Sequence, residues 1–183
     1  MNNRLLRRRL RTNESDWCLR ANALCGRAAT RRFFSLISRL GDGAFWYTLM
    51  AALALLGGRN GMAAALHLGA IGLVSLVLYK ALKHWTRRAR PCASDVRIRA
   101  WVAPLDEFSF PSGHTLHAVA FTIVALSYVP ALAWLLIPFA ASVAVSRVVL
   151  GLHYPSDVLA ATGIGSALAS GSIWLRDSAT MLQ

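Results

Sequence analysis

The sequence predicts an all-α protein, a polytopic bundle of transmembrane helices. Of its 183 residues, 56% are hydrophobic and only 15% are charged, and the mean hydropathy is +0.46. This composition is typical of a membrane protein with one domain. The formal charge of +12 does not indicate nucleic acid, because half of the 20 Lys and Arg residues precede residue 40 and no basic stripe alternates with aromatic residues.

The first 40 residues predict a disordered basic tail, followed by an amphipathic helix that lies in the membrane interface. Residues 1–11 carry five arginines, which favour a position near anionic lipid headgroups. Within residues 16–40 the apolar residues recur at helical spacing, but five more arginines interrupt them. Glycines on both sides of Asp42 should end this helix. The chain is therefore divided into residues 1–40 and one membrane-embedded domain, residues 41–183.

Apolar segments in the second region predict five membrane crossings. They are residues 44–56, 62–82, 115–129, 131–149 and 158–175. The first is short for a bilayer core, which takes about 20 helical residues. Cys18, Cys25 and Cys92 lack the spacing of a metal site and are predicted to be free thiols.

Residues 146–157 connect the fourth and fifth segments and carry Arg147, His153 and Asp157. Charged groups at the edge of a membrane segment are costly unless they pair or line a polar cavity. Asp157 follows His153 by four residues, so a helix would place both on one face, where a carboxylate can orient an imidazole. An ion cluster that only caps two helices explains this stretch equally well.

Ser112, Gly113 and His114 begin the third segment. Ser112 is a favourable N-cap, and Gly113 lets a ligand come close to the backbone. The free N–H groups of such a helix start bind anions, and phosphate is their natural ligand. The alternative to an anion site is that Pro111 and Ser112 only begin a helix and bind no ligand.

Cations accompany both of these motifs. Lys83 and Arg90 follow the second segment, and Arg147 can hold a tetrahedral oxyanion with two N–H groups. Five crossings would place all of these residues on the same membrane face. The neighbouring arginines are interpreted as an ordinary positively charged flank. They are Arg87, Arg88, Arg97 and Arg99.

Two histidines beside three cations and a helix N-terminus predict phosphoryl transfer without a metal or another cofactor. One imidazole attacks phosphorus, and the other protonates the leaving oxygen. His153 is the better nucleophile because Asp157 accompanies it, and His114 is the better acid. A metal is not expected, because few ligands are available in a strongly positive pocket. Of the other histidines, His117 is interpreted as a packing residue, and His67 has no evident polar partner.

The three motifs together resemble the complete signature of the type 2 phosphatidic acid phosphatase superfamily, without a departure in spacing. They read Lys83-x6-Arg90-Pro91, Pro111-Ser112-Gly113-His114 and Ser146-Arg147-x5-His153-x3-Asp157.

The resemblance implies a phosphohistidine intermediate on His153, a proton from His114 for the leaving group, and Asp157 as the group that orients His153. It also implies a set of residues that holds the phosphate: Lys83, Arg90, Ser112, Gly113 and Arg147. The apolar segments favour the membrane branch, which acts on lipid phosphates and polyprenyl pyrophosphates.

The expected function is therefore that of an integral-membrane phosphatase acting on a lipid phosphate or pyrophosphate. Phosphatidic acid, phosphatidylglycerol phosphate and undecaprenyl pyrophosphate all fit. The alternatives are a vanadate-dependent haloperoxidase and a non-catalytic lipid-phosphate binder or transporter.

Common membrane members of this superfamily have six spans, so a sixth crossing is the alternative to five. With five, the face that carries the site holds 18 Lys and Arg residues, and the other face holds two. The positive-inside rule then predicts a cytoplasmic-facing site in a bacterial-type inner membrane.

Overall fold

The computed structural model describes residues 3–181, which form eight α-helices and no strand. The helices are α1 (Asn3–Ala23), α2 (Ala28–Arg39), α3 (Phe45–Leu56), α4 (Gly58–Thr86), α5 (Pro91–Ser94), α6 (Gly113–Tyr128), α7 (Ala133–Val149) and α8 (Pro155–Met181). The prediction of an all-α bundle is confirmed.

Three helical segments are long and apolar enough to cross a membrane. They are Gly58–Ser94, Pro130–Val149 and Pro155–Ala179. Helices α3 and α6 are also apolar, but their 12 and 16 residues make them shorter than a typical crossing of about 20 residues. The count of five crossings therefore stays a prediction.

The N-terminal region differs from the predicted tail and single helix. Helix α1 begins at Asn3, so residues 3–11 are helical and the prediction of disorder is wrong for them. Met1 and Asn2, which belong to the same predicted tail, lie outside the described residues. The physical reason is helix propensity: Leu and Arg are good helix formers, and neither Gly nor Pro occurs before Gly26. A turn at Leu24–Gly26 then separates α1 from α2.

The predicted break around Asp42 is confirmed. Residues Leu40–Ala44 form a kinked turn, in which Gly43 has a φ of 145°. Only glycine adopts this conformation at low cost. The kink redirects the chain from α2 into α3, and Asp42 within it lines a cavity.

Helix α6 lies at the centre of the bundle and packs against α4, α7 and α8. Aromatic side chains fill the space beside it: the Phe45 and Phe139 rings stack 3.9 Å apart, and the Trp46 and Phe121 rings are 5.2 Å apart. Helix α8 comes very close to α6 at Gly165. A Cβ added at this residue would lie 2.8 Å from the carbonyl oxygen of Leu116.

The two N-terminal helices are attached to the rest of the chain by buried polar contacts. The Asn22 side-chain amide donates to the carbonyls of Arg99 (2.9 Å) and Val149 (3.0 Å), and its oxygen accepts from the Arg99 N–H (3.0 Å). Contacts therefore cross the predicted boundary at residue 40, and the division of the chain there stays a prediction. All three cysteines are free thiols, as predicted.

Two histidines that the sequence left aside have polar partners in the bundle. His67, for which the sequence showed no evident polar partner, lies 3.1 Å from the Tyr128 hydroxyl and 2.9 Å from the Ser172 hydroxyl. The ring nitrogens of His117 lie 3.0 and 3.1 Å from the carbonyl oxygens of Gly113 and Gly72. These bonds fit a packing role, in which His117 ties α6 to α4.

Candidate active site

A cavity of about 410 Å³ brings most of the predicted site residues together. Its polar wall includes Lys83, Arg90, His114, Arg147 and His153. Apolar side chains of α3 and α4 form the remaining wall. They include Trp46, Met50, Leu68, Leu73 and Leu76. The cavity therefore joins a strongly basic end to a surface that suits a hydrocarbon chain.

Ser112 and Asp157 are fully buried and lie outside the cavity lining. Ser112 is the N-cap of α6, as predicted, because its hydroxyl accepts from the N–H and the hydroxyl of Thr115. Gly113 does line the cavity, and a Cβ there would lie 3.2 Å from the Tyr79 ring. The absence of a side chain at this position allows α6 to begin against α4.

Lys83 and Arg90 are buried and share one carboxylate, that of Asp106. Lys83 Nζ lies 2.6 and 2.8 Å from the two Asp106 oxygens, and Arg90 Nη2 lies 2.7 Å from Oδ1. Burial raises the pKa of Asp106, but Lys83 and Arg90 outweigh it and hold this pKa below its usual value. Asp106 is therefore ionised at neutral pH. Sequence reasoning missed its role, because nothing in the pattern distinguishes it from the adjacent Glu107.

Arg147 is buried at the end of α7 and has no carboxylate partner among the described residues. Its Nη1 donates to the Ser38 hydroxyl on α2. Its Nε has no hydrogen-bond partner, and it forms no ion pair with any side chain that the structure describes. A buried guanidinium with free N–H groups at the edge of a cavity is a strong attractor for an anion.

His153 lies in the short loop between α7 and α8, with its Nε2 toward the cations. Nε2 is 3.2 Å from Arg90 Nη1. Nδ1 is buried without a hydrogen-bond partner among the described residues and lies 3.7 Å from Asp157 Oδ2. Burial, together with the positive charges of Arg147, Arg90 and Lys83, holds the pKa of His153 well below its usual value. The imidazole is therefore neutral, the form that can act as a nucleophile.

Asp157 is held by three donors from different parts of the chain. Its Oδ1 accepts from Arg88 (2.7 Å), and its Oδ2 accepts from the Tyr154 N–H (2.9 Å) and from the Ser109 hydroxyl. Arg88 also pairs with Glu14 on α1 at 2.6 Å. The interpretation of Arg88 as part of an ordinary positive flank is thus wrong. The sequence could not show this, because Glu14 is distant in the chain and four similar arginines lie near one another.

His114 pairs with a carboxylate that the sequence suggested only as part of a helix break. Its Nε2 is hydrogen-bonded to Asp42 Oδ1, and both side chains line the cavity. Among the side chains that the structure describes, no cluster of three or more His, Cys, Asp and Glu residues could hold a metal ion.

The sequence profile of the PAP2 superfamily matches residues 63–180, well over half of the chain. The chain belongs to the PAP2 superfamily. This finding confirms the resemblance that was inferred from the three motifs.

The chain is similar in sequence to two curated phosphatases. It is 36% identical over 77 residues to phosphatidylglycerophosphatase B of Escherichia coli (strain K12), an alignment that covers 37% of this chain and only 29% of that protein. It is 31% identical over 139 residues to decaprenylphosphoryl-5-phosphoribose phosphatase of Mycolicibacterium smegmatis, covering 75% of this chain and 74% of that protein.

Solved structures of PAP2 proteins share the fold. A transmembrane PAP2-type phosphatidylglycerolphosphate phosphatase from Bacillus subtilis superposes with a TM-score of 0.74 at 23% identity, covering 92% of this chain and 87% of that one. LpxE from Aquifex aeolicus superposes with a TM-score of 0.70 at 26% identity, covering 80% and 87%. The chain is thus an integral membrane protein with the PAP2 bundle.

Replacing Arg88 by Met should destabilise the protein strongly, because it leaves the fully buried Asp157 carboxylate without a cation. We expect a loss of about 3 kcal/mol in the free energy of unfolding, measured as a lower thermal midpoint in detergent. Arg97→Met is the matched control. The Arg97 side chain is 67% exposed, so its pair with Asp95 should contribute little to stability. Equal midpoints for the two variants would contradict this account of Arg88.

Proposed function

We propose that the protein is a membrane phosphatase that hydrolyses a lipid phosphate or pyrophosphate through a phosphohistidine intermediate on His153. The observation that carries this proposal is a neutral, buried His153 beside three buried cations in a single cavity. The positive charges of Lys83, Arg90 and Arg147 would neutralise the phosphoryl oxygens as charge develops on them.

In the first step, Nε2 of His153 attacks phosphorus and the bond from phosphorus to the leaving oxygen breaks. His114, as the imidazolium paired with Asp42, donates its Nε2 proton to that oxygen and becomes neutral, so the lipid leaves as a neutral alcohol or a protonated phosphate. In the second step, a water attacks the phosphohistidine, and His114 takes the water's proton. The N–P bond then breaks, and inorganic phosphate is released with His153 returned to its neutral form.

Asp157 would orient His153 and stabilise the charge that its ring acquires on attack. The separation of 3.7 Å between Nδ1 and Asp157 Oδ2 is about 0.8 Å longer than a normal hydrogen bond. Nδ1 is buried and lacks another partner among the described residues. A small rotation of the imidazole as the substrate binds would therefore be favoured, because it would complete this bond.

The substrate class follows from the two ends of the cavity. Its basic end suits a terminal phosphate, and the apolar wall from α3 and α4 suits the adjoining part of an acyl or prenyl chain. The names of the two relatives describe phosphatases of a glycerolipid phosphate and of a prenyl-linked phosphate. Phosphatidic acid, phosphatidylglycerol phosphate and undecaprenyl pyrophosphate are the candidates that share this chemistry.

We further propose five crossings, with the site and the N-terminus on the cytoplasmic face of a bacterial inner membrane. Support comes from the excess of Lys and Arg on that face. Reporter fusions at both ends test this orientation: the N-terminal fusion should report the cytoplasm and the C-terminal fusion the opposite side. A C-terminus found in the cytoplasm would contradict it.

His153→Ala should lower phosphate release from a lipid phosphate at least about 10³-fold, because it removes the nucleophile. His114→Ala should lower it at least about 10²-fold, because it removes the proton donor. Both variants should keep the thermal midpoint of a folded protein, and EDTA should have little effect on the wild type. The exposed His84 on α4 provides the control, since His84→Ala should retain activity. Full activity in His153→Ala would refute the proposed mechanism.

A further inference from the structure

Asp106 binds two of the three cations that the proposed function assigns to the phosphate, Lys83 and Arg90. It lies between α5 and α6, and its side chain is 39% exposed, whereas those of Lys83 and Arg90 are 6% and 4% exposed. An anion on a partly exposed loop therefore occupies donors that are themselves nearly inaccessible to water.

The hydrogen bonds of Lys83 leave no donor for a substrate. A lysine ammonium has three N–H groups, and Lys83 lies within bonding distance of both Asp106 oxygens and of the Phe108 carbonyl (2.9 Å). Arg90 is similarly engaged, since its Nη2 donates to Asp106 Oδ1 and its Nε donates to the Asp106 carbonyl (3.0 Å). A phosphate can bind to Lys83 only if the Asp106 carboxylate leaves.

We propose that Asp106 is an internal competitor of the substrate for Lys83 and Arg90 and sets the affinity that an anion needs to occupy the site. The inference rests on the phosphate site of the proposed function. An internal competitor lowers the apparent affinity of every anion by the fraction of time that the cations are free. Only an anion that interacts with the cations more strongly than a carboxylate then binds at its concentration in the membrane.

The charge of the ligand decides which lipids bind tightly enough to displace the Asp106 carboxylate. A terminal phosphate ester or pyrophosphate carries close to two negative charges and three terminal oxygens, so it has an advantage over the single charge of Asp106. The phosphodiester of an ordinary membrane lipid carries one charge and has no such advantage. Asp106 thus raises the affinity that any lipid needs to occupy the site, and a terminal phosphate reaches that affinity more readily than a phosphodiester.

A purely structural role for Asp106 predicts the opposite sign. If Asp106 only held Lys83 and Arg90 in place, its loss would loosen the cations and weaken anion binding. If it competes, its loss frees the cations and strengthens anion binding. The direction of one measured change therefore separates the two roles.

The experiment compares Asp106→Asn with wild type, using the purified full-length chain in detergent micelles. Titration calorimetry measures the Kd of inorganic phosphate, and inhibition in mixed micelles measures the affinity for phosphatidylglycerol, a phosphodiester. We expect both anions to bind about tenfold more tightly to Asp106→Asn. Glu107→Gln removes a charge from the adjacent exposed residue and should change both constants less than about twofold.

Thermal unfolding provides the second measurement, because Asp106→Asn leaves two buried cations without their carboxylate. Phosphate should raise the midpoint of this variant more than that of the wild type. Unchanged or weaker phosphate binding by Asp106→Asn would overturn the inference while leaving the proposed function intact. Wild-type phosphate affinity in Lys83→Met would overturn the phosphate site itself, and with it the inference.

Discussion

Positive charge buried at the edge of the membrane bundle determines how the site is built. Lys83, Arg90 and Arg147 are all nearly inaccessible, and such charges are costly unless anions compensate them. Asp106 compensates the first two, whereas Arg147 forms no ion pair with any described side chain. The fold thus maintains a site whose charge is balanced only in part, and a phosphate would complete that balance.

The same constraint gives the N-terminal helices a role beyond the membrane interface. Glu14 on α1 pairs with Arg88, which in turn pairs with the buried Asp157. Ser38 on α2 accepts from Arg147, and Asp42 in the following kink bonds His114. Each of the three motifs is therefore held by residues that precede the region matched by the PAP2 profile. Polar and charged partners from distant parts of the chain thus hold the site residues in place before a ligand arrives.

The helical bundle and the three motifs could be predicted because both leave local patterns in the sequence. Apolar segments mark the long helices, and fixed spacing marks the groups that meet at helix ends, such as His153 and Asp157. Asp42 and Asp106 could not be predicted, because a single acidic residue has no pattern that reveals its partner. The prediction of a disordered N-terminal tail failed for another reason. The charge of this segment suggested disorder, but its Leu and Arg residues favour a helix.

Capture of the phosphorylated enzyme would identify the nucleophile directly. A lipid phosphate with a radiolabelled phosphoryl group would be mixed with the enzyme, quenched in alkaline denaturant and analysed by peptide mass spectrometry. The account predicts label on His153 in the wild type, and none on any residue in His153→Ala. Turnover without labelled enzyme, or label on a residue other than His153, would contradict the assignment of His153 as the nucleophile.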